Sequence, residues 1–442
     1  MIVMKFGGTS VKEAAAMTAT AEIISARIHQ QPLVVLSACG GITDKLLRLA
    51  REAGLRHIQE STSLLSEIEE HHKKILTTKT PDNQQAHHDM DVLLAQLREF
   101  AEGLSLLGEC TPRSLDAIAS FGERLSTTIM THILKANGNR ATFFDARTVM
   151  RTDDNFVNAA VDRVQLRRLS KDLLLPLYSN NDVVVTQGFI GSTDAGITTT
   201  LGRGGSDLSA ALFGEALDAS EIQIWTDVSG VKSADPRIIP TARTIARMSF
   251  AEVRELANYG AKVLHPDTIM PAVERNIPVV VLNTFEPEHA GTVITADIPD
   301  GSAAVSAVSA RHDATMIRCD IPPDTNATTV LNELMDYCVL AKREVLHCTI
   351  GESVCIVVIQ GPEPVLYESR VPYTVGQVSL LCVAGPNLRH DAVSLKTVCA
   401  ELVQYSPAAL AIGTSDVSVV AILSPAVVQD ALKGIHNIIE QQ

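Results

Sequence analysis

Gly202-Arg203-Gly204-Gly205-Ser206-Asp207, preceded by Thr198-Thr199-Thr200-Leu201 and followed by the apolar, helix-patterned run 208–216, decides how this chain is read. Glycines leave the backbone N–H groups of a loop uncovered, and a loop feeding a helix can press those donors against anionic oxygens. Arg203 adds a planar guanidinium able to clamp a carboxylate through two hydrogen bonds, and Ser206 adds a further donor.

Around this loop, short apolar runs alternate with helical patterns through the first two thirds of the chain. Runs 2–6, 33–37, 141–144, 183–186, 221–225 and 278–282 read as fully buried strands, which predicts an α/β architecture with a mostly parallel sheet covered by helices. Polar motifs follow several of these runs, and in open α/β sheets ligands sit beyond the carboxyl ends of the strands. Residues 44 to about 108 read as a helix-rich insert, interrupted at 77–83. The pairs His71-His72 and His87-His88 lie within it; neighbouring Glu, Lys and Gln point to a solvated face rather than a metal cluster.

Composition narrows the function. The chain has 442 residues, 46% of them hydrophobic, with 37 basic against 51 acidic side chains and a formal charge of -14. Such a charge disfavours nonspecific adhesion to nucleic acid or anionic lipid, and the length calls for more than one domain. No apolar stretch reaches the ~20 residues needed to span a bilayer. Met1-Ile2-Val3-Met4 passes directly into a Lys-Gly-Gly turn without the apolar core of a leader, so a cytoplasmic protein is expected. The eight cysteines show no C-x-x-C pair and read as small buried hydrophobes.

Lys5 ends the first apolar run immediately before Gly7-Gly8, a placement that suits phosphate: close backbone approach, a helix end and a mobile point charge. The chain has no G-x-x-x-x-G-K-[ST] loop and no H-R-D or D-F-G element, so any nucleotide must be held by another architecture. Glu123, in Phe121-Gly122-Glu123-Arg124, has the sign to receive an ammonium, although spacing alone favours a surface carboxylate paired with Arg124. Thr226-Asp227 follows an apolar strand, and Arg237 and Lys262 add positive charge. None of these motifs carries a histidine placed as a general base. A carboxylate acceptor explains this, because a group of pKa ~4 is already ionised near neutrality.

Lys5-Phe6-Gly7-Gly8-Thr9-Ser10-Val11, Phe121-Gly122-Glu123, the Gly202–Asp207 loop, Trp225-Thr226-Asp227-Val228-Ser229-Gly230, Asp235-Pro236-Arg237 and Gly260-Ala261-Lys262-Val263-Leu264-His265-Pro266 together resemble the aspartokinases, in that family's order. The resemblance implies the amino-acid kinase fold over residues 1–295 and transfer of the ATP γ-phosphoryl group to the side-chain carboxylate of L-aspartate. It places Glu123 at the substrate's amino group and Arg203 at its α-carboxylate, with Thr43 and Ser206 nearby. Lys5 and Lys262 would neutralise the migrating phosphoryl group, with Asp207 positioning both. Gly7, Gly8, Thr226, Asp227, Lys232 and Arg237 would surround ATP with those lysines, Lys232 standing where the family often has tyrosine. Mg²⁺ would be held chiefly by phosphate oxygens, with no protein metal site. Other kinases of the superfamily, acting on glutamate, acetylglutamate or uridylate, lack this joint set of motifs; a noncatalytic amino-acid sensor would not need Lys5, Asp207 and Lys262.

Beyond residue 303 a strand, helix, strand, strand order occurs twice, resembling paired ACT domains of ferredoxin-like α+β type. The resemblance implies a first unit at about 312–375 inserted in a second, formed by about 303–311 and 376–442. It further implies a homodimer through this region and lysine as the effector to test, although Ile321-Pro322-Pro323-Asp324 lacks the family's glycine and two amide donors.

Overall fold

The computed structural model describes residues 1–261, 264, 266–296, 303–361 and 371–441. By compactness the chain divides into one unit of residues 1–231 and 264–296 and another of residues 232–263 and 297–442.

In the first unit the predicted runs become β1 (Ile2–Phe6), β2 (Leu33–Leu36), β3 (Ala141–Phe144), β4 (Val183–Gln187) and β7 (Glu221–Thr226), with two further short strands, β5 (Ile190–Ser192) and β6 (Thr198–Thr200), between β4 and β7. β8 (Arg247–Ser249) falls in the second unit, and the first resumes with β9 (Val279–Asn283) and β10 (Thr292–Thr295). Strands β3-β4-β2-β1-β7-β9-β10 lie side by side in that order. All neighbours are parallel except β10 on β9. β1, β2, β4 and β9 are buried at every position, because helices cover both faces and a strand so enclosed has no side on which polar residues could alternate. Lys5 pairs with Val35 of β2 and Ile224 of β7, so the carboxyl end of β1 lies at the centre of the sheet edge.

The helices of this unit are α1 (Ala14–Ser25), α2 (Ile42–Gly54), α3 (Ile58–Lys79), α4 (Gln84–Leu107), α5 (Pro112–Ala119), α6 (Phe121–Ala136), α7 (Arg163–Leu169) and α8 (Gly205–Ala216), with α10 (Met270–Glu274) after α9 (Phe250–Asn258) of the second unit. The helix-rich insert is α2, α3 and α4. Its break at 80–83 ends where the Asn83 side chain accepts the Ala86 N–H at 3.0 Å, an N-cap that restarts the helix. One expectation fails here: His72 lies on the buried face of α3 with Leu65, Ile68 and Leu76, not on a solvated one. Its Nδ1 meets the Ile68 carbonyl oxygen at 2.7 Å and its Nε2 has no partner among the described residues. The apolar period of α3 includes position 72, which residue type alone did not disclose.

The second unit carries an antiparallel sheet in the order β12-β13-β11-β14-β16-β15, from β11 (Ala307–Asp320), β12 (Val345–Ile350), β13 (Val354–Gln360), β14 (Tyr373–Ala384), β15 (Ala409–Ile412) and β16 (Ser418–Leu423). α11 (Ala327–Leu340), α12 (Ala392–Val403) and α13 (Val428–Glu440) complete it. The runs at 305–310 and 315–320 are one continuous strand, β11, whose register against β14 shifts between Arg311 and Ala314. Past the shift Ile317 and Cys319 join a core with α11; before it Val308 joins a core with α12 and α13. A bulge lets one strand serve two cores. Cys39, Cys319, Cys338, Cys355 and Cys382 are buried as expected, whereas Cys348 is exposed on the edge strand β12.

Burial holds the His72 imidazole down at about 4, so the unfolded chain binds the extra proton between that value and about 6.5. Stability therefore drains away as pH falls through this window, by up to a few kcal/mol for a shift of this size. In His72→Leu, the loss of melting temperature between pH 7.5 and pH 5 should be smaller than in the parent chain; an equal loss would show that His72 carries none of it.

Candidate active site

Glycines at the carboxyl edge of the sheet stand in close approach to neighbouring loops, and at two of them a side chain would collide. A Cβ on Gly8 would lie 3.0 Å from the Ala38 carbonyl oxygen, and the Gly40 N–H donates to the Gly8 carbonyl at 2.9 Å. A Cβ on Gly122 would meet the Ala38 Cβ at 2.6 Å, and one on Gly188 the Ser206 Cβ at 2.8 Å. These approaches draw the loops after β1, β2 and β4 and the first turns of α6 and α8 around one cavity of about 400 Å³. Lys5, Gly8, Thr43, Glu123, Arg203, Ser206 and Asp207 all line it, together with Ser37, Cys39, Gly40, Asp44 and Phe189.

Asp207 stands in the first turn of α8, and its Oδ1 lies 2.6 Å from Lys5 Nζ. The pair is largely enclosed, so the charge of Lys5 is fixed in place without being buried alone. The αL conformation at Gly204, φ +73°, lets the chain turn from the loop straight into α8. Arg203 is exposed to the cavity and makes no hydrogen bond or ion pair with a described residue. Its guanidinium is therefore available to an anionic ligand.

Glu123 resolves the ambiguity that spacing left. It does not pair with Arg124, whose guanidinium instead stacks over the Phe121 ring at 4.3 Å and donates to Gln96 at 2.8 Å. Glu123 is 3% exposed. Oε1 accepts the Ala38 N–H at 3.1 Å, while Oε2 has no partner among the described residues. Burial without a cation pushes its carboxyl up to about 8, the Ala38 hydrogen bond offsetting part of the shift. Burial, with the neighbouring Glu123 carboxylate adding to it, pushes the Cys39 thiol up to about 12, so Cys39 lines the cavity as a neutral thiol.

The carboxyl end of β7 lies on the other side of β1. The Gly7 N–H donates to the Trp225 carbonyl at 3.0 Å, and Trp225 stacks on Phe6 with centroids 5.7 Å apart. Thr226 and Asp227 thus end the strand adjacent to Lys5, joined to each other at 3.1 Å, but they do not line the cavity that holds Arg203 and Glu123. Lys232 and Arg237 belong to the second unit, where Lys232 Nζ donates to Thr244 Oγ1 at 2.8 Å and Arg237 is held by Asp235 through Nε and Nη2. Lys262 lies outside the described residues, as does His265. Sequence reasoning missed Ser37, Asp44 and Phe189 as lining residues. The signal for Phe189 is a φ of +65° at a bulky residue, visible only in the backbone.

Residues 1–283 match the amino acid kinase family. The chain is 42% identical over 296 residues to the lysine-sensitive aspartokinase 3 of Escherichia coli K12, an alignment covering 66% of this chain and 64% of that one. The chain thus spans just under two thirds of that curated relative. Its structure is similar to that of E. coli aspartokinase III in complex with aspartate and ADP, with a TM-score of 0.81, 32% identity and 99% of each chain covered. The same enzyme in complex with lysine and aspartate gives a TM-score of 0.83 at 32% identity, again over 99% of each chain.

The raised carboxyl of Glu123 sets a stability test. Between the ordinary glutamate value near 4.5 and about 8, the folded chain holds a proton that the unfolded chain has released, so stability falls as pH rises through that window. Glu123→Gln has no such term. Its melting temperature should gain on the parent steadily from pH 5 to pH 8.5; a constant difference would contradict the buried, unpaired carboxylate.

Proposed function

We infer the reaction from one premise: the chain belongs to the amino acid kinase family and, within it, to the aspartokinases. On that basis it transfers the γ-phosphoryl group of ATP to the side-chain carboxylate of L-aspartate, giving 4-phospho-L-aspartate and ADP. The observation that carries this reading is the opposed polarity inside one cavity. Arg203 offers an uncommitted guanidinium, Glu123 an unpartnered buried oxygen, and both share the cavity with Lys5. An α-amino acid bound by its carboxylate and ammonium to that pair leaves its side-chain carboxylate to reach the Lys5 end.

A side-chain carboxylate oxygen attacks the γ-phosphorus, the bond from that phosphorus to the β-phosphate bridging oxygen breaks, and ADP departs with the electron pair. No proton has to be removed, because the acceptor is already ionised. Catalysis is then alignment and charge neutralisation. Lys5, held by Asp207, supplies a fixed positive charge beside the Gly7-Gly8 turn, and we assign Lys262 as the second cation. We place ATP along Gly7, Gly8, Thr226 and Asp227, with Lys232 and Arg237 as further contacts. Asp207 is committed to Lys5, and a Mg²⁺ coordinated chiefly by phosphate oxygens would offset their charge. The C-terminal unit is proposed as the homodimer surface and as the seat of a lysine effect, which titration of activity with lysine, threonine and methionine will measure.

With ATP, Mg²⁺, L-aspartate and hydroxylamine the protein should yield aspartyl hydroxamate, with far less product from L-glutamate or N-acetylglutamate. No hydroxamate from aspartate would sink the proposal. Arg203→Lys keeps the charge but loses the two-pronged clamp; at ~1.5–3 kcal/mol for a charge-assisted hydrogen bond, KM for aspartate should rise on the order of 10- to 100-fold. Because the ammonium needs ionised Glu123, KM for aspartate should fall as pH is raised toward about 8 and level off above it. A KM insensitive to pH across that range would remove Glu123 from the amino group.

A further inference from the structure

Asp116 is a carboxylate outside the cavity, on α5, and 1% exposed. Burial raises its carboxyl above the ordinary range, against the pull of three donors. The Val157 N–H reaches Oδ1 and Oδ2 at 3.1 and 3.0 Å, the Thr200 N–H reaches Oδ2 at 2.9 Å, and the Thr200 hydroxyl reaches Oδ1 at 2.6 Å. Two of the three donors belong to Thr200, on the strand that leads to the glycine loop, and the third to Val157, in a segment packed against that loop. Thr200 ends β6, two residues before Gly202. Val157 holds φ +74°, a conformation that a β-branched residue adopts only under constraint.

The strained residue abuts the loop directly. A Cβ on Gly202 would lie 3.2 Å from the Val157 carbonyl oxygen and 2.5 Å from Asn158 Oδ1, and the Ala159 N–H donates to the Thr200 carbonyl at 2.9 Å. On its other side Asp116 is continuous with the opposite wall of the cavity. Only Ser120, itself helical at φ −58° and ψ −22°, separates α5 from α6, whose first turn carries Glu123. One buried carboxylate therefore ties the wall that presents Glu123 to the strand and turn from which Arg203 projects.

We propose that Asp116 is a positioning residue for the acceptor amino acid: by clamping Val157 and Thr200 to α5 it fixes the separation of the Arg203 guanidinium from the Glu123 carboxylate. The inference rests on the reading that those two groups hold the acceptor. Asparagine at 116 keeps the volume and one oxygen for the two backbone N–H donors, but puts an NH₂ where Oδ1 receives the Thr200 hydroxyl and shares the Val157 N–H, which loosens the clamp. Thr200→Val removes only the hydroxyl bond and is the gentler change.

Asp116→Asn, Thr200→Val and Arg203→Ala are compared with the parent for melting temperature, kcat, KM for aspartate and KM for ATP. The expected result is a rise of about tenfold or more in KM for aspartate in Asp116→Asn and a smaller rise in Thr200→Val, with KM for ATP within twofold of the parent in both. A merely structural carboxylate would lower the melting temperature and either leave both KM values alone or move them together, and that outcome overturns the inference. Should Asp116→Asn not fold, Thr200→Val decides: an unchanged KM for aspartate in that variant is fatal. Arg203→Ala separates the two levels. If it raises KM for aspartate and the Asp116 and Thr200 variants do not, the positioning role alone fails; if it does not, the acceptor site itself is wrongly placed and the inference falls with it.

Discussion

Backbone crowding at the edge of the parallel sheet is the constraint on which the site depends. Gly122 against Ala38 and Gly188 against Ser206 leave no room for a side chain, and Gly8 against Ala38 and Gly40 against Gly8 leave little. Because these glycines let the loops pack so closely, the neighbouring side chains line one opening. Lys5, Glu123, Ser206 and Asp207 each stand within four residues of such a contact in sequence or next to the residue that makes it. Close packing also excludes water from the Glu123 side, which is why its carboxyl is raised while the exposed Arg203 keeps its contact with solvent.

Much of this was legible in the sequence, and for identifiable reasons. Fully buried strands write themselves as largely apolar runs, so β1, β2, β4 and β9 could be read to within a residue or two. Glycines beside Lys5 and Arg203 announced loops shaped by close approach. Other features were silent because they are relations between distant residues. Glu123 reads as a surface carboxylate next to Arg124 until Gly122 is seen against Ala38. His72 looks solvated by its neighbours in sequence and is buried by its neighbours in space. Asp116 gave no signal at all, since its three donors come from residues 157 and 200.

The second unit shows the same limit from another direction. Its two strand–helix–strand–strand patterns are visible as a repeat, yet the strand linking them is single and takes its bulge between Arg311 and Ala314. α9 is bound into this unit through polar groups, with the Ser306 hydroxyl donating to Glu252 Oε1 at 2.6 Å and the Ser418 hydroxyl donating to Glu255 Oε2 at 2.7 Å. Ser233 meets His436 of α13 at 3.0 Å, so the segment after β7 reaches the last helix of the chain. No local pattern near residue 233 foretells a partner two hundred positions away.

That segment has a consequence for anyone who would recombine such chains. Ala234 and Ile239 sit in one hydrophobic core with Val305, Val308, Leu381, Leu432 and Ile439. A fragment cut before residue 303 would present those two side chains to water, and a graft of the carboxy-terminal portion alone would arrive with holes where they belong. The two units are interleaved along the polypeptide, so neither is a cassette, and exchange between homologues has to respect three junctions in sequence rather than one.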